Sequence, residues 1–349
     1  MDRIKNIAPA DKAAYRAAAE RGDSRAKPLG SFGALEEAIK RIAAVQGTPD
    51  VDISKRTAVI MCGDHGVVEE GVTQCGNEVT AVCAASIAEG HSNINAVAAC
   101  YGIDVLAVDV GIAQEVWAEK LVSRNIAHGT RNMTRGAAMT EEEVRRAVSV
   151  GMDIVRELKE NGTRLLISGE MGIGNTTSAA AISSVLLGLP PEKVTGRGAG
   201  LSTEGLSRKT DAVKRAIEVN RPDPSDPLDL LRKLGGLEVA AMTGLFLGGA
   251  YYRVPVIIDG VISAAAAAIA CGIDPLCAEY MLASHCSHEP AAEGLLRLCG
   301  QTPLIYAGLR LGEGTGGALL VPLLDGALAL YRGAHRFEDI LIERYVELK

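Results

Sequence analysis

The sequence contains few aromatic residues and no excess of positive charge. Aromatic residues make up 3 % of its 349 positions while apolar residues reach 48 %, so the core must consist mainly of small aliphatic side chains. The formal net charge of −7 argues against nucleic acid or an anionic membrane as the main partner. Charged residues at 23 % together with 39 glycines are typical of a compact α/β enzyme and exclude a disordered chain.

Segments that direct a protein to secretion or into a membrane are also missing. The first 25 residues have no apolar stretch of the kind that a signal peptide needs. The longest uncharged stretch, residues 171–191, is interrupted by Asn, Thr, Ser and Gly, which is unlike a membrane span. The eight cysteines form no CxxC pair, so we expect free thiols in a reducing cytoplasm.

The dominant pattern is a short apolar run followed by a glycine-rich turn and then a helix of small residues. Apolar runs without polar alternation are typical of strands buried on both faces, and strands that alternate with helices indicate a parallel sheet. The sequence therefore predicts an α/β fold with a mostly parallel sheet flanked by helices. The predicted strands are residues 57–62, 105–110, 164–168, 254–258 and 303–307.

Helices are predicted between these strands and towards both ends of the chain. Thr140 and Glu143 form a capping-box pattern ahead of an amphipathic helix that ends near Asn161. Residues 1–50 contain a helix from about residue 32 and no strand, and residues 318–349 have a mostly helical pattern. We therefore predict a large α/β catalytic domain over residues 51–317 and a small helical domain made of residues 1–50 and 318–349.

Acidic side chains and a histidine stand where the predicted strands end, which is where ligands bind in open parallel sheets. Glu170 and Glu313 are each flanked by glycines that allow a ligand to approach closely, so we expect both to be functional. Asp64, His65 and Asp259 occupy similar positions, but a single Asp there also serves as a helix N-cap. Magnesium binding, ribose binding and general-base catalysis therefore stay open, and these three residues are left without a role.

The glycine-rich residues 172–177 follow a predicted strand and open a helix. Backbone N–H groups at a helix N-terminus favour an anion, so this segment predicts a phosphate site. It lacks the Lys of a P-loop and the third Gly of a dinucleotide fingerprint. A second glycine cluster at 196–200 precedes Arg208 and Lys209. Either cation suits the same phosphate, although a solvated helix face explains Arg208 equally well.

Strong motifs for a metal or a redox cofactor are absent from the sequence. Cys62 with His65, and His285 with residues 286–288, bring potential ligands together, but neither an HExxH nor a CxxC motif accompanies them. Histidines and cysteines in Ala-rich helices are more often packing residues. We therefore expect neither a metal nor a cofactor.

Several separated motifs resemble one enzyme family over nearly the whole chain. They run from KPLGSFGALEEAIKRIAAVQGT at 27–48, through GDHGV, ISGEMGIGNTTSAAA, GRGAGL, RKTDAV, IIDG and SHCSHE, to GEGTGGAL at 312–319. The sequence thereby resembles the nicotinate-nucleotide–dimethylbenzimidazole phosphoribosyltransferases. The resemblance implies transfer of the 5-phosphoribosyl group of nicotinate mononucleotide to 5,6-dimethylbenzimidazole in cobamide lower-ligand synthesis. It also implies a Rossmann-like large domain and a homodimer.

The resemblance assigns roles to individual residues. Glu313 corresponds to the catalytic base, Glu170 to a second carboxylate and Lys209 to the lysine beside the phosphate. The residues expected to bind phosphate and ribose are Gly172, Ile173, Gly174, Asn175, Thr176, Gly196, Gly198 and Gly200. The residues that we place in the base pocket are Asn77, Leu311, Gly312 and Ser287.

One segment departs from the family pattern. Residues 75–80 read CGNEVT where the family usually carries Pro-Gln-Glu-Val-Thr, so Asn77 replaces a longer Gln near the base pocket. The acceptor base therefore stays open, and we expect dimethylbenzimidazole to be accepted without a strong preference over adenine or simpler azoles.

Two other functions fit the residues taken alone. One is a nucleotide-binding oxidoreductase on a similar sheet. The other is a non-catalytic, nucleotide-binding partner subunit. The second alternative explains the glycine loops but gives no reason for two glycine-flanked glutamates.

Overall fold

The centre of the protein is a six-stranded sheet. The computed structural model describes residues 6–346 and orders the strands β3-β2-β1-β4-β5-β6. All neighbouring strands of this sheet pair in parallel, so the predicted α/β fold with a parallel sheet is confirmed. The strands are β1 (Arg56–Gly63), β2 (Ile103–Gly111), β3 (Val122–Ser123), β4 (Leu165–Met171), β5 (Val256–Ile258) and β6 (Met281–Ala283).

Helices cover both faces of the sheet. No helix within residues 6–346 has the length and apolar character needed to cross a membrane. The α-helices of this part of the chain are α1 (Lys12–Asp23), α2 (Ala34–Gln46), α3 (Glu78–Glu89), α4 (Asn93–Cys100), α5 (Glu141–Glu160), α6 (Asn175–Leu187), α7 (Pro191–Val194), α8 (Thr203–Asn220), α9 (Pro227–Leu234), α10 (Leu237–Tyr252), α11 (Val261–Ile273), α12 (Ala292–Leu298) and α13 (Thr315–Gly333).

The side chains on the two faces of β1 pack into two separate hydrophobic clusters. Val59 and Met61 pack into a cluster with helices α5, α6 and α8–α11, whereas Ile60 packs into a second cluster with α2, α3, α4 and α13. Successive residues of a strand point to opposite faces, so this division follows directly from an uninterrupted apolar strand. The result is a three-layer arrangement with the sheet in the middle.

The capping box ahead of α5 is present as predicted. Thr140 accepts a hydrogen bond from Glu143 N, and the Glu143 carboxylate accepts one from Thr140 N. The apolar stripe of this helix, which includes Val144, Val148 and Met152, is buried. The helix ends at the expected place, with Asn161 as its C-cap.

The prediction of a strand at residues 303–307 is wrong. Ile305 forms only an isolated bridge with His285, and the sixth strand is β6, which is three residues long. Pro303 has no N–H to donate to a ladder, and the N–H groups of Leu304 and Ile305 both bond to Ser284 O. The two-residue strand β3 is also too short to leave a periodic pattern in the sequence.

The C-terminal segment is less helical than predicted. After α13, only a short 3-10 turn at Glu338–Ile340 follows, and residues 341–346 have no regular structure. Residues 347–349 of the predicted helical segment lie outside the described residues. The division into two domains stays a prediction, because one cluster contains Ile42 and Leu320 together with Ile60 of the sheet.

Helices α5 and α10 approach each other so closely that only glycine fits at the crossing. A Cβ atom on Gly244 would lie 2.0 Å from Val148 O, and one on Gly151 would lie 1.9 Å from Ala241 O. Both obstacles are backbone atoms and cannot move aside without separating the helices. Since α10 packs on the sheet behind the strand ends, this contact helps to fix the layer on which the site rests.

We expect Gly244→Ala to lower the free energy of unfolding by about 1–3 kcal/mol, because the new methyl group overpacks the crossing. The matched control is Gly326→Ala in α13, where a Cβ would meet nothing within 4 Å. The control should be neutral or stabilise the fold by up to ~1 kcal/mol, since Ala reduces the entropy of the unfolded chain. Urea unfolding of both variants makes the comparison, and equal effects would contradict the packing explanation.

Candidate active site

A cavity of about 210 Å³ opens beyond the carboxyl ends of β4 and β5. It lies next to the point between β1 and β4 where the strand order reverses, which is the usual ligand site of such sheets. The residues that line it are Glu170, Met171, Gly172, Ile173, Asn175, Thr176, Gly198, Ala199, Asp259, Gly260, Val261, Ile262, Ser263, His285, Ser287, Glu289, Arg310, Leu311, Gly312 and Glu313.

Glu170 lines this cavity near the end of β4. Its side chain is 8 % exposed, and its two carboxylate oxygens accept hydrogen bonds from Glu313 N at 3.3 Å and from the Asn175 side chain. Burial raises the pKa of Glu170 to about 8, and the neighbouring Asp259 adds to the effect. The two hydrogen bonds oppose this shift but do not cancel it. A carboxyl group that keeps its proton to a higher pH than an exposed glutamate therefore lies between the two glycine-rich loops.

Glu313 is held in a left-handed backbone conformation. Its φ is +59°, and its neighbours Gly312 and Gly314 have φ values of +82° and +80°. Such a conformation is unfavourable for a residue with a side chain and persists only where the surroundings impose it. In this turn the Glu313 carboxylate accepts a 3.4 Å bond from the Asn93 side chain through Oε1, while the buried Oε2 has no partner among the described residues.

Asp259, which the sequence left without a role, holds this turn in place. Its Oδ2 accepts from Gly314 N at 3.1 Å and its Oδ1 accepts from Gly317 N at 2.9 Å. These N–H groups belong to the N-terminal end of α13, where a negative charge is favourable. Burial raises the pKa of Asp259, although His285 and the backbone N–H groups oppose the shift. Asp259 is therefore not the N-cap of the helix that follows it, since the N-cap of α11 is Gly260. It instead accepts N–H groups at the start of α13 and fixes the residue after Glu313.

The predicted phosphate loop, residues 172–176, connects β4 to α6. Gly174 is the N-cap of α6 with φ +97°, so the loop leads directly into the first turn of that helix. Ile173 N donates to the Thr80 hydroxyl at 3.0 Å and is therefore occupied. Thr80 belongs to α3, which ties the loop to the segment that departs from the family pattern.

Lys209 lies behind this loop and does not line the cavity. Its side chain is 1 % exposed, and Nζ donates to Thr176 Oγ1 at 2.8 Å and to Gly196 O at 3.1 Å. It thereby joins the two predicted phosphate segments. Burial lowers the pKa of Lys209 to about 8, against the opposing charge of Glu289. A phosphate on the other side of the loop would feel this charge through the Thr176 hydroxyl.

The other members of the second glycine cluster differ in their positions. Gly198 lines the cavity, whereas Gly196 faces the Glu289 carboxylate so closely that a Cβ would lie 1.8 Å from Glu289 Oε2. Gly200 lies further out, where its carbonyl accepts a 2.6 Å bond from Gln74. The structure thus brings Gly198 to the cavity and leaves Gly196 and Gly200 behind it.

Three of the four residues predicted for the base pocket line the cavity, namely Ser287, Leu311 and Gly312. Asn77 does not. It is the N-cap of α3, and its buried Oδ1 has no hydrogen-bond partner within residues 6–346. Since no ligand contact tests these assignments, the base pocket stays a prediction.

Sequence reasoning missed three titratable residues of the cavity wall. His285 and Glu289 belong to the SHCSHE segment, whose pattern suggests only metal binding or packing. Arg310 lies three residues before Glu313 and outside the glycine motif. Their short distance in sequence from a predicted strand or from Glu313 was the only feature that could have identified these residues.

The histidines considered as metal ligands contact other side chains instead. His65 Nε2 lies 2.6 Å from Glu238 Oε1, and both side chains are buried. His285 contacts the Ser284 hydroxyl through Nδ1 at 3.0 Å. Within the described part of the chain, no three His, Cys, Asp or Glu side chains are arranged to hold a metal ion.

Known proteins match this chain over nearly its full length. A family model described as a phosphoribosyltransferase covers residues 7–342. A nicotinate-nucleotide–dimethylbenzimidazole phosphoribosyltransferase of Ruminiclostridium cellulolyticum is 43 % identical, over 95 % of this chain and 94 % of its own. A protein of the same name from Acetivibrio thermocellus is 42 % identical, over 98 % and 97 % of the two chains.

The fold of this chain also matches that of a known protein. The crystal structure of CobT from Thermus thermophilus matches with a TM-score of 0.90 at 38 % identity, over 95 % of this chain and all of that chain. The resemblance predicted from the motifs is therefore confirmed. Because sequence and fold agree over nearly the entire length, this chain belongs to the phosphoribosyltransferase family.

Proposed function

We propose that this chain transfers the 5-phosphoribosyl group of nicotinate mononucleotide to 5,6-dimethylbenzimidazole or a related base. The products are nicotinate and α-ribazole 5′-phosphate, for assembly of the cobamide nucleotide loop. The observation that carries the proposal is the meeting of two glycine-flanked glutamates in one cavity, where Glu313 N donates to the Glu170 carboxylate. The names of the full-length relatives support the same reaction.

The reaction needs a proton acceptor but no general acid. The glycosidic nitrogen of the donor is a pyridinium, so the ring leaves without being protonated. The incoming benzimidazole attacks C1 of the ribose with one nitrogen from the opposite face, which inverts β to α. Positive charge then builds up on the azole unless its other N–H proton is removed. Glu313 suits this role, because its Oε2 is buried and has no partner within residues 6–346.

Glu170 suits a different role in the same step. As the pyridine leaves, the ribose carbon becomes oxocarbenium-like, and a nearby carboxylate stabilises this positive charge. Glu170 is a buried residue of the cavity wall and joins the phosphate loop to the turn of Glu313. The same carboxylate is also placed to hold ribose hydroxyls. In both cases the ionised form is the useful one.

The phosphate serves as a handle that fixes the donor in the cavity. Gly172, Thr176 and Gly198 line the side on which it would bind, with the Lys209 ammonium behind them. Binding energy at this remote group orients the ribose carbon relative to the two glutamates. No step of this mechanism requires a redox cofactor or a metal.

The homodimer and the cytoplasmic location are proposals that rest on the resemblance and on the sequence alone. Sedimentation equilibrium of the purified chain measures the first, and a monomer at micromolar concentration would contradict it. The proposed location rests on the free cysteines, which are typical of a reducing compartment.

Nicotinate release from nicotinate mononucleotide, measured with a panel of azole bases, tests the proposed reaction directly. Turnover by the isolated chain would exclude the non-catalytic subunit. Tight stoichiometric binding of NAD(P)H without any nicotinate release would favour the oxidoreductase instead. The panel includes dimethylbenzimidazole, adenine and unsubstituted benzimidazole, because the segment around Asn77 leaves the acceptor open.

Glu313→Gln is expected to keep the fold and nucleotide binding but to reduce kcat by about 10²–10⁴-fold, the usual contribution of a general base. Gln matches Glu in shape, so the left-handed turn is not altered further. Glu293→Gln is the matched control, because Glu293 is an exposed residue of α12 outside the cavity. A Glu313→Gln enzyme that turns over within a few fold of the parent would remove Glu313 from the role of base.

The pH dependence of kcat/KM should be bell-shaped and centred near pH 8. The useful carboxylate of Glu170 forms as the pH rises through about 8, and the ammonium of Lys209 is lost as the pH rises through about 8. Glu170→Gln should therefore flatten the acid limb, and Lys209→Met the alkaline limb. Limbs that are unchanged in both variants would contradict these assignments.

Lys209→Met is expected to weaken nicotinate mononucleotide about 10- to 100-fold, the range for loss of a charge-assisted interaction. Nicotinate riboside, which has no phosphate, should lose little. Lys214→Met on the same helix is the control, since Lys214 is partly exposed and pairs with Glu192. Calorimetric titration of both ligands makes the measurement, and an equal loss for the two ligands would exclude a phosphate role.

A further inference from the structure

Most of the charged residues that line the cavity are acidic. Among the described residues that line it, four are acidic and the only Lys or Arg is Arg310. The acidic residues are Glu170, Asp259, Glu289 and Glu313. A negatively charged group of a ligand would be repelled in such surroundings unless a cation received it.

Other basic groups near the cavity are already engaged. Lys209 is buried behind the phosphate loop and is shared between Thr176 and Gly196. Burial lowers the pKa of His285, although the charge of Asp259 opposes this shift, and its Nδ1 contacts the Ser284 hydroxyl. Arg310 differs from both, because its side chain is exposed and forms no hydrogen bond or ion pair with any residue of 6–346.

Arg310 also lines the same cavity as Glu313. Glu170 connects the phosphate loop to the turn of Glu313, since one of its oxygens accepts from Asn175 and the other from Glu313 N. Arg310 precedes Glu313 by three residues, and Leu311 and Gly312 between them line the same wall. The acceptor ring must reach Glu313 if Glu313 is the base, so the reacting rings lie near this segment.

We propose that Arg310 binds the carboxylate of the nicotinate ring and thereby selects nicotinate mononucleotide over nicotinamide mononucleotide. The inference rests on the proposed function, because that function supplies a donor with a ring carboxylate. A guanidinium presents a planar fork of N–H donors that matches a carboxylate with two parallel bonds. A carboxamide offers one neutral oxygen and an NH₂ group, which faces the guanidinium as a second donor.

The test measures the dissociation constants of three ligands for the parent chain and for Arg310→Gln. Nicotinate mononucleotide has both the phosphate and the carboxylate, nicotinamide mononucleotide has only the phosphate, and nicotinate riboside has only the carboxylate. We expect the parent chain to prefer the first ligand over the second by about tenfold, the lower end for charge-assisted bonds because Arg310 is exposed. In Arg310→Gln both carboxylate ligands should weaken about tenfold, with nicotinamide mononucleotide unchanged.

Two further variants sharpen the comparison. Arg310→Lys should restore part of the preference, because it keeps the charge but loses the fork. Arg297→Gln, an exposed arginine of α12 that pairs with Glu293 outside the cavity, should leave all three affinities unchanged. A thermal melt of each variant verifies that the fold is kept.

Three results would overturn the assignment. The first is a parent chain that does not distinguish the two mononucleotides. The second is an Arg310→Gln chain in which they weaken equally, which would place Arg310 at the phosphate. The third is an Arg310→Gln chain with unchanged affinities. Failure of the proposed function is separately visible, since it appears as no nicotinate release by the parent chain with any base.

Discussion

Two buried carboxylates at the ends of neighbouring strands hold the turn on which the site depends. Glu170 on β4 accepts from Glu313 N, and Asp259 after β5 accepts from Gly314 N and Gly317 N. These bonds satisfy N–H groups at the start of α13, which would otherwise lack partners. They also compensate for a left-handed backbone at Glu313, so the position of that carboxylate is set by the sheet itself.

This arrangement requires glycine on both sides of Glu313. A Cβ on Gly312 would lie 2.5 Å from Glu170 Oε1, and both neighbours have positive φ. In the sequence, these glycines indicate that a ligand can approach closely. In the structure they have a second function, which is to let the turn close onto Glu170. The same motif therefore serves stability and chemistry together, and substitution of Gly312 would disturb both.

The structure could be predicted best where a sequence pattern was long or was formed by residues close together in the chain. The strands β1, β2, β4 and β5, the capping box of α5 and the pairing of strand ends with Glu170 and Asp259 all follow from local patterns. The sixth strand was misplaced because three residues are too few for periodicity and because Ile305, in an apolar run, forms only a bridge. Arg310 was missed because an arginine outside a glycine motif carries no local signal. Only the fold shows that it lines the cavity.

Burial acts in opposite directions on the two titratable groups that flank the phosphate loop. It raises the pKa of Glu170 and lowers that of Lys209, both to about 8, so burial disfavours the charged form of each group. A phosphate at residues 172–176 would favour the ammonium form of Lys209. Positive charge developing on the ribose would favour the carboxylate form of Glu170. The ligand would thus favour the charged forms that burial disfavours, and the carboxylate would be stabilised most strongly when the ribose charge is greatest, which is at the transition state.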